Sequence, residues 1–328
     1  MRVVINGCKA LVVILAGLAW AFPTGSWGQG FPTKPVRYVV PFGAGASPDI
    51  VARTLSERFT KIWGQQVLVE NRSGAGGTMG AAFVAKSPPD GYTLFQCNIA
   101  SSAIAESLYA KPGYNHQRDF APISRIGSTP NALFVHPSTP LKSFKEFIAY
   151  AKANPGRLSY GSSAAGTSPQ LTMELLKLLG KLNIVHVPYK DAPQAVSDVI
   201  GGQIPVGITN VPAVLPPLQS GRLRGLAVTS LTRVSQLPNV PTVHESGFPD
   251  FEVTAWYGVC APSGTPTALL DKLHTDVTTV LRMPEVQQRL KDLMIEVAPT
   301  SREEFAQIIR TETARWAKVI KDAGITAQ

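Results

Sequence analysis

Three short stretches built from glycine, serine and alanine hold the groups in this chain best placed to do chemistry. They are Gly43-Ala44-Gly45-Ala46-Ser47, Ser73–Thr78 (SGAGGT) and Gly161–Ser168 (GSSAAGTS), and each follows a strand-like apolar run. Such loops leave little side chain in the way of an approaching ligand. Where a loop enters a helix, backbone N–H groups face outward with the positive end of the helix dipole behind them, a setting for a carboxylate or phosphate. Ser47-Pro48 and Ser168-Pro169 both read as helix starts, with serine as N-cap and proline at the first helical position. One strand–glycine–helix turn is most often only a connection. Two or three at one cleft make a polar receptor of amide and hydroxyl groups.

Other chemistries lack their residues. The five histidines, His116, His136, His186, His244 and His274, show no metal-ligand spacing to one another or to cysteine. HExxH, CxxC, GxSxG and the phosphate-binding GxxxxGK[ST] are all missing, and Gly74-Ala75-Gly76-Gly77 lacks the GxGxxG spacing of a dinucleotide loop. No nucleophile–base pair is evident in the small-residue loops. His186, inside the run Ile184–Tyr189, reads as a satisfied strand imidazole. No cofactor, metal or catalytic residue is therefore expected.

The elements that must position these loops begin after a leader. Arg2 and Lys9 precede the apolar run Ala10–Ala21, and Ala19-Trp20-Ala21 or Ser26-Trp27-Gly28 offers a cleavage site, the pattern of a secretory signal peptide over residues 1–30. Export to the periplasm is expected. The remaining ~300 residues suit two domains of ordinary size. The net charge of +9, or +7 without Arg2 and Lys9, fits an anionic ligand and equally a general surface property, and no basic block interleaved with aromatics points to nucleic acid. Cys97 and Cys260 sit in apolar strand-like runs and read as two buried thiols in preference to a bridge.

The pattern to His136 is strand, loop, helix, repeated, which predicts a largely parallel sheet. Val51, Leu55, Phe59 and Ile62 share a helix face. Phe120–Ile126 and Ala132–His136 read as separate strands. A second β/α block follows: a helix opened by the capping box Ser143/Glu146, a strand Leu158–Tyr160, and a helix whose inner face is Leu171, Leu175, Leu178 and Leu179. Thr265-Pro266 caps a later helix, and Ser301/Glu304 boxes the last one. With no long linker, the chain should cross between lobes through strands, leaving a cleft at the strands' carboxyl ends that can hinge shut.

Several segments resemble the Bug proteins, the TctC family of substrate-binding proteins of tripartite tricarboxylate transporters. They are Phe31–Val36 (FPTKPV), Val40-Pro41-Phe42 with Asp49–Arg53, Val69-Glu70-Asn71-Arg72, Gly74–Gly77, Pro89–Leu94 (PDGYTL), His186–Lys190 (HVPYK), Gly201-Gly202-Gln203, Leu226–Ser230 and Trp256-Tyr257-Gly258, in order along nearly the whole mature chain. The resemblance implies an α/β, two-lobed periplasmic binding protein of the type II Venus-flytrap kind, each lobe a β-sheet flanked by helices. Lobe 1 would be residues 31–132 and 251–328, and lobe 2 residues 133–250. It implies a small carboxylate in the cleft, delivered by a monomer to membrane transporter subunits. A sensor that presents its closed form to a receptor, or a cleft enzyme, stays open as an alternative.

Carried over residue by residue, the ligand contacts would be Phe42, Gly43, Ala44, Gly45, Ser47 and Asp49 from the first loop. Ser73, Gly74, Ala75 and Gly76 would follow, then Asn98 and Ser101. The second lobe would add Ser162, Ser163, Thr167, Ser168, Gln170, Tyr189, Thr209 and Asn210. Ser162, Ser163, Thr167 and Ser168 are the strongest candidates for direct hydrogen bonds. Asp49 reads first as a helix-dipole residue, and Tyr189 equally as donor or packing. The chain departs from the family pattern in three places: the first loop, Gly43-Ala44-Gly45-Ala46-Ser47-Pro48, holds fewer prolines and glycines than is usual, Gln170 stands where a histidine is common, and Thr209 where an aspartate is. A cleft wall without that carboxylate lacks a partner for an ammonium, so the ligand is expected to be a plain mono-, di- or aromatic carboxylate.

Overall fold

The computed structural model describes residues 30–163 and 165–326. The leader expectation lies outside the described residues, apart from residue 30. Ten strands are present among them: β1 (Val36–Val40), β2 (Val67–Asn71), β3 (Thr93–Asn98), β4 (Phe120–Val135), β5 (Ser159–Ser163), β6 (Val185–Tyr189), β7 (Val206–Asn210), β8 (Arg224–Val228), β9 (Thr254–Pro262) and β10 (Glu296–Val297). The α-helices are α1 (Ser47–Trp63), α2 (Thr78–Ala85), α3 (Ala105–Leu108), α4 (His116–Asp119), α5 (Phe144–Ala153), α6 (Ser168–Gly180), α7 (Ala192–Ile200), α8 (Val211–Gln219), α9 (Thr267–Arg282), α10 (Pro284–Asp292) and α11 (Arg302–Asp322). None of the helices is long and apolar enough to cross a membrane.

The strands run in the order β2-β1-β3-β9-β4-β7-β5-β6, with β8 and β10 also on β4. The sheet is mixed. β1, β2 and β3 are parallel, as are β5, β6 and β7, but β9 and β4 run antiparallel to their neighbours. The expected pair of strands around residue 130 is one strand, β4. It pairs β9 from Phe120 to Pro130 and β7 from Asn131 to Val135. The register shifts between Pro122 and Ser124 and between Arg125 and Gly127 let it bend without stopping. β4 thus links the parallel group β1–β3, through β9, to the parallel group β5–β7.

Alternation explains the layering. In β1, Val36, Tyr38 and Val40 pack with Val51, Leu55 and Phe59 of α1, while Val39 faces the opposite core with Phe95 and Cys97. Both faces are covered, so four of the five residues of the strand are fully buried, Arg37 being the exception. Ile62, in the last turn of α1, is 42% exposed, so the predicted face ends a turn early. In α6, Leu171 and Leu176 are buried but Leu178 and Leu179 are exposed, contrary to expectation. The cause is position. The first two turns of α6, Ser168 to Glu174, are buried on all sides, so periodicity does not mark one inner face.

Cys97 and Cys260 form a disulfide, which corrects the reading of two free thiols. They lie on adjacent antiparallel strands, β3 and β9, with Cα atoms 6.0 Å apart. Both are fully buried, as their apolar context suggested. Their adjacency comes from sheet order, which puts β9 beside β3 although over 150 residues separate them in sequence.

Candidate functional site

The first bend is held by Asp49. Its buried carboxylate accepts hydrogen bonds from Gly45 N (2.8 Å), Arg53 Nε (2.9 Å) and Asn71 Nδ2 (2.8 Å), and Asn71 Nδ2 also donates to Phe42 O (2.9 Å). Burial pushes this carboxyl up, but the donors outweigh it and hold Asp49 below the usual aspartate range. Asp49 therefore ties loop, helix and β2 together, and the Gly45 N–H is already engaged. Ala46, not Ser47, is the N-cap of α1; Ser47 and Pro48 are its first two residues. Ser47 instead faces Tyr257. Burial raises the Tyr257 phenol well above its ordinary value, and the Ser47 hydroxyl partly offsets this, although the two form no hydrogen bond of normal geometry. Gly43, Ala44 and Gly45 form an exposed rim, with Phe42 half-buried behind them.

The second bend, Ser73–Gly77, runs through four consecutive positive φ values: Gly74 142°, Ala75 45°, Gly76 63° and Gly77 96°. Ser73 and Ala75 are exposed, Gly76 and Gly77 buried. A methyl group on Gly76 would stand 2.8 Å from the Tyr109 hydroxyl and 3.1 Å from Ala165 O. This glycine is where the second and third bends meet. Tyr109 seals the contact, its hydroxyl donating to Ala165 O at 3.3 Å. At the end of β3, Asn98 Oδ1 accepts from Ala100 N (3.0 Å) and Ser101 N (3.2 Å), so it starts the following helical turn. The hydroxyls of Ser101 and Ser102 are buried and have no partner.

The third bend joins β5 to α6. Thr167 is the N-cap position, and its hydroxyl donates to Ser163 O (2.6 Å); Ser168 is the first helical residue, not the cap. Similarly, Pro266 rather than Thr265 precedes α9. Ser143 caps α5, but Glu146 reaches Lys142 N instead of closing the box; Ser301/Glu304 does close on α11. Ser168 Oγ lies 3.4 Å from Asn131 Oδ1, and Asn210 Nδ2 donates to that same oxygen at 2.7 Å. The Thr209 hydroxyl is buried with no partner.

The structure brings together a pair that the sequence reading did not. Ser162 Oγ is 2.8 Å from His186 Nε2, and Gln170 Nε2 is 3.3 Å from His186 Nδ1. The strands β5 and β6 run side by side and α6 covers them, which converts a gap of two dozen residues into contact. The His186 ring stacks on Tyr160 with centroids 4.8 Å apart. Burial pushes its pKa down to about 4, with Glu174 pulling up and Lys177 pushing down, so it is neutral at pH 7. The bends accordingly offer neutral donors, not formal cations.

A groove of about 580 Å³ lies elsewhere, flanking β4 and β9, lined by Arg125, Trp256, Glu312, Arg315 and the segment 230–236. None of the bends contributes to it. Among the described residues, no cluster of histidine, cysteine, aspartate or glutamate could hold a metal.

The sequence of residues 51–325 matches the TctC family, described as the tripartite tricarboxylate transporter family receptor. The chain belongs to this family. Three solved structures are similar to this TctC chain. The R. palustris protein Rpa4515, solved with adipate, is 37% identical with a TM-score of 0.85, covering 90% of this chain and 99% of its own. The periplasmic binding protein BugD is 35% identical with a TM-score of 0.83, over 91% and 100%. MatC from Rhodopseudomonas palustris, solved with bound malate, is 31% identical with a TM-score of 0.81, over 88% and 100%. The two-lobed α/β fold is the one shared with these periplasmic binding proteins.

Within this TctC chain, the candidate residues separate by what their polar atoms already do. Asp49 and Asn98 are occupied in holding loops, and the Tyr189 hydroxyl donates to Asp198 (2.9 Å) across to α7. Burial raises the Tyr189 phenol, with Asp198 adding to the effect. Ser101 and Thr209 keep unpartnered buried hydroxyls. Asn131, Tyr109 and Ser102 were not among the sequence candidates, yet Asn131 bonds Asn210 and Thr172, Tyr109 bonds Ala165 O, and Ser102 keeps a buried hydroxyl without a partner. Asn131 lies in an unremarkable run, Thr129-Pro130-Asn131, and only the change of partner of β4 there, from β9 to β7, makes it central.

Proposed function

We propose that this receptor captures a small organic carboxylate between its lobes in the periplasm and hands it to membrane subunits of a tripartite transporter. The lobes that close are residues 31–132 with 251–328, and residues 133–250. The observation that carries this reading is the set of buried hydroxyls without a partner, Ser101 and Ser102 after β3 and Thr209 near the end of β7, together with the contact of the second and third bends at Gly76 and Ala165. An ionised carboxylate offers only acceptor sites, about four of them, and so complements hydroxyl and amide donors. A buried hydroxyl left unmade costs about 1–3 kcal/mol, which a bound carboxylate returns.

The ligand is a carboxylate without an ammonium group. Thr209 stands where relatives often carry an acid, so the second lobe presents no anion there to receive an amine. The dicarboxylates seen in the structures of similar proteins, adipate and malate, have this chemistry. The ligand leaves unchanged, since the chain acts as a binder and not as an enzyme. Thermal-shift screening with matched pairs tests the reading. Succinate is expected to raise Tm and aspartate to do so less. A clear preference for aspartate, or turnover of a bound carboxylate, overturns it.

A further inference from the structure

The hydrogen-bond directions around His186 can be fixed from one end. The backbone N–H of Gly166 donates to Gln170 Oε1 at 2.7 Å. A backbone N–H cannot reverse its role, so the Gln170 amide is oriented with oxygen toward Gly166 and NH2 toward His186. That NH2 lies 3.3 Å from His186 Nδ1, which must therefore be the acceptor nitrogen. In a neutral imidazole the proton then resides on Nε2, 2.8 Å from Ser162 Oγ. Ser162 accepts from the ring. Its own hydroxyl hydrogen has no acceptor among the described residues, although the side chain is fully buried at the carboxyl end of β5.

We propose that Gln170 and His186 are positioning residues that lock the Ser162 hydroxyl as an obligate donor, so that this corner of the cleft accepts an ionised oxygen and rejects an N–H or O–H group. The inference rests on the carboxylate reading above and adds the device that sets its selectivity. It also separates Ser162–His186 from a nucleophile–base pair. A ring nitrogen that carries the proton cannot take one from serine. The neutral ring this needs agrees with the burial of His186 beneath α6.

Two measurements test the relay. The first is the ¹⁵N chemical shifts of His186 in the full mature chain without ligand, compared with Gln170→Glu. Wild type is expected as the Nε2–H tautomer. Glutamate has only acceptor oxygens, so Gln170→Glu is expected to switch the ring to Nδ1–H and turn Ser162 into a donor toward His186. The second is calorimetry with succinate and its monoamide, succinamate. Wild type is expected to favour succinate by tenfold or more, in line with the worth of a hydrogen bond to a charged group, and Gln170→Glu to erase most of that ratio. Ser162→Ala, a small change that keeps the ring and amide, is expected to weaken succinate about tenfold or more and succinamate by less, so that the ratio falls toward that of Gln170→Glu, and an unchanged ratio overturns the selectivity role of Ser162. An Nδ1–H ring in wild type that binds succinate overturns the relay alone. Failure of wild type to bind any carboxylate in the panel, with the tautomer as stated, overturns the carboxylate reading and the ligand role of Ser162 with it.

Discussion

Asn131 Oδ1 accepts from Asn210 Nδ2 at 2.7 Å, and through this bond β4, at the point where it changes partner from β9 to β7, is joined to the start of α8. The same side chain donates to Thr172 Oγ1 on α6 at 2.8 Å. Its backbone N–H donates to Thr229 Oγ1 (2.8 Å) and its carbonyl accepts from Thr229 N (3.0 Å). Thr229 O in turn accepts from Val253 N, where the chain returns toward β9. One fully buried amide thus connects β4 and the return toward β9 to the helix that opens at the third bend.

Asn131→Ala is expected to destabilise the protein by about 1–3 kcal/mol, because it removes the closer acceptor of the Asn210 amide and the donor to Thr172 Oγ1, leaving each with only its bond to Ser168. Asn131→Ser keeps one donor and acceptor and should cost less. Urea denaturation of the two variants checks the order. Equal losses would show that packing, not the amide, matters here.

Gly76 is expected to control closure more than stability. Its φ of 63° already disfavours other residues, and any Cβ meets Tyr109 and Ala165 O of the facing bend. Gly76→Val should hold the lobes apart. Small-angle scattering on adding a bound carboxylate should show compaction in wild type and none in the variant, with affinity reduced tenfold or more. Normal compaction would remove this contact from the closing mechanism.

The disulfide is expected to stabilise without shaping the site. Cys97 and Cys260 are buried between β3 and β9. Replacing both with alanine should cost about 2–5 kcal/mol, as for a bridge closing a long loop. Ligand affinity should change little. Denaturation with and without reductant tests this, and a bridge that reductant breaks with no change in midpoint would contradict it.

Acid should weaken the fold before its carboxylates titrate. His116 is fully buried with neither ring nitrogen bonded, and burial pushes its pKa down to about 3 against a pull upward from Asp119. His186 is pushed down to about 4. Unfolded histidine titrates near pH 6.5, so below that pH the unfolded chain binds protons the native one does not. The stability of the neutral rings is whole above about pH 6.5 and is lost as pH falls toward the folded values. For His116 alone, the loss between pH 6.5 and 5 is roughly 2 kcal/mol. Urea midpoints should fall over this range, and His116→Phe should fall less steeply than wild type. Parallel curves would rule out His116 as the source.

Much of this protein could be read locally. Strand–loop–helix order, the small-residue bends, the absence of metal or nucleotide motifs and the family all follow from neighbours in sequence, because turn chemistry, periodicity and motif spacing are short-range properties. Even the burial of Cys97 and Cys260 was local, since an apolar strand context is visible in the chain.

What the sequence could not decide was who meets whom across the sheet. Strand order puts β9 against β3 and makes a disulfide; it makes one strand of β4 and places Asn131 where that strand changes partner. It brings Ser162, Gln170 and His186 within hydrogen-bond reach from three separate elements. The residue types announced a site made of hydroxyls and amides. Which of those groups remain free to meet a ligand, and which are consumed by Asp198, Ala100 or Gly45, depends on long-range pairing, and that is set only when the whole chain packs.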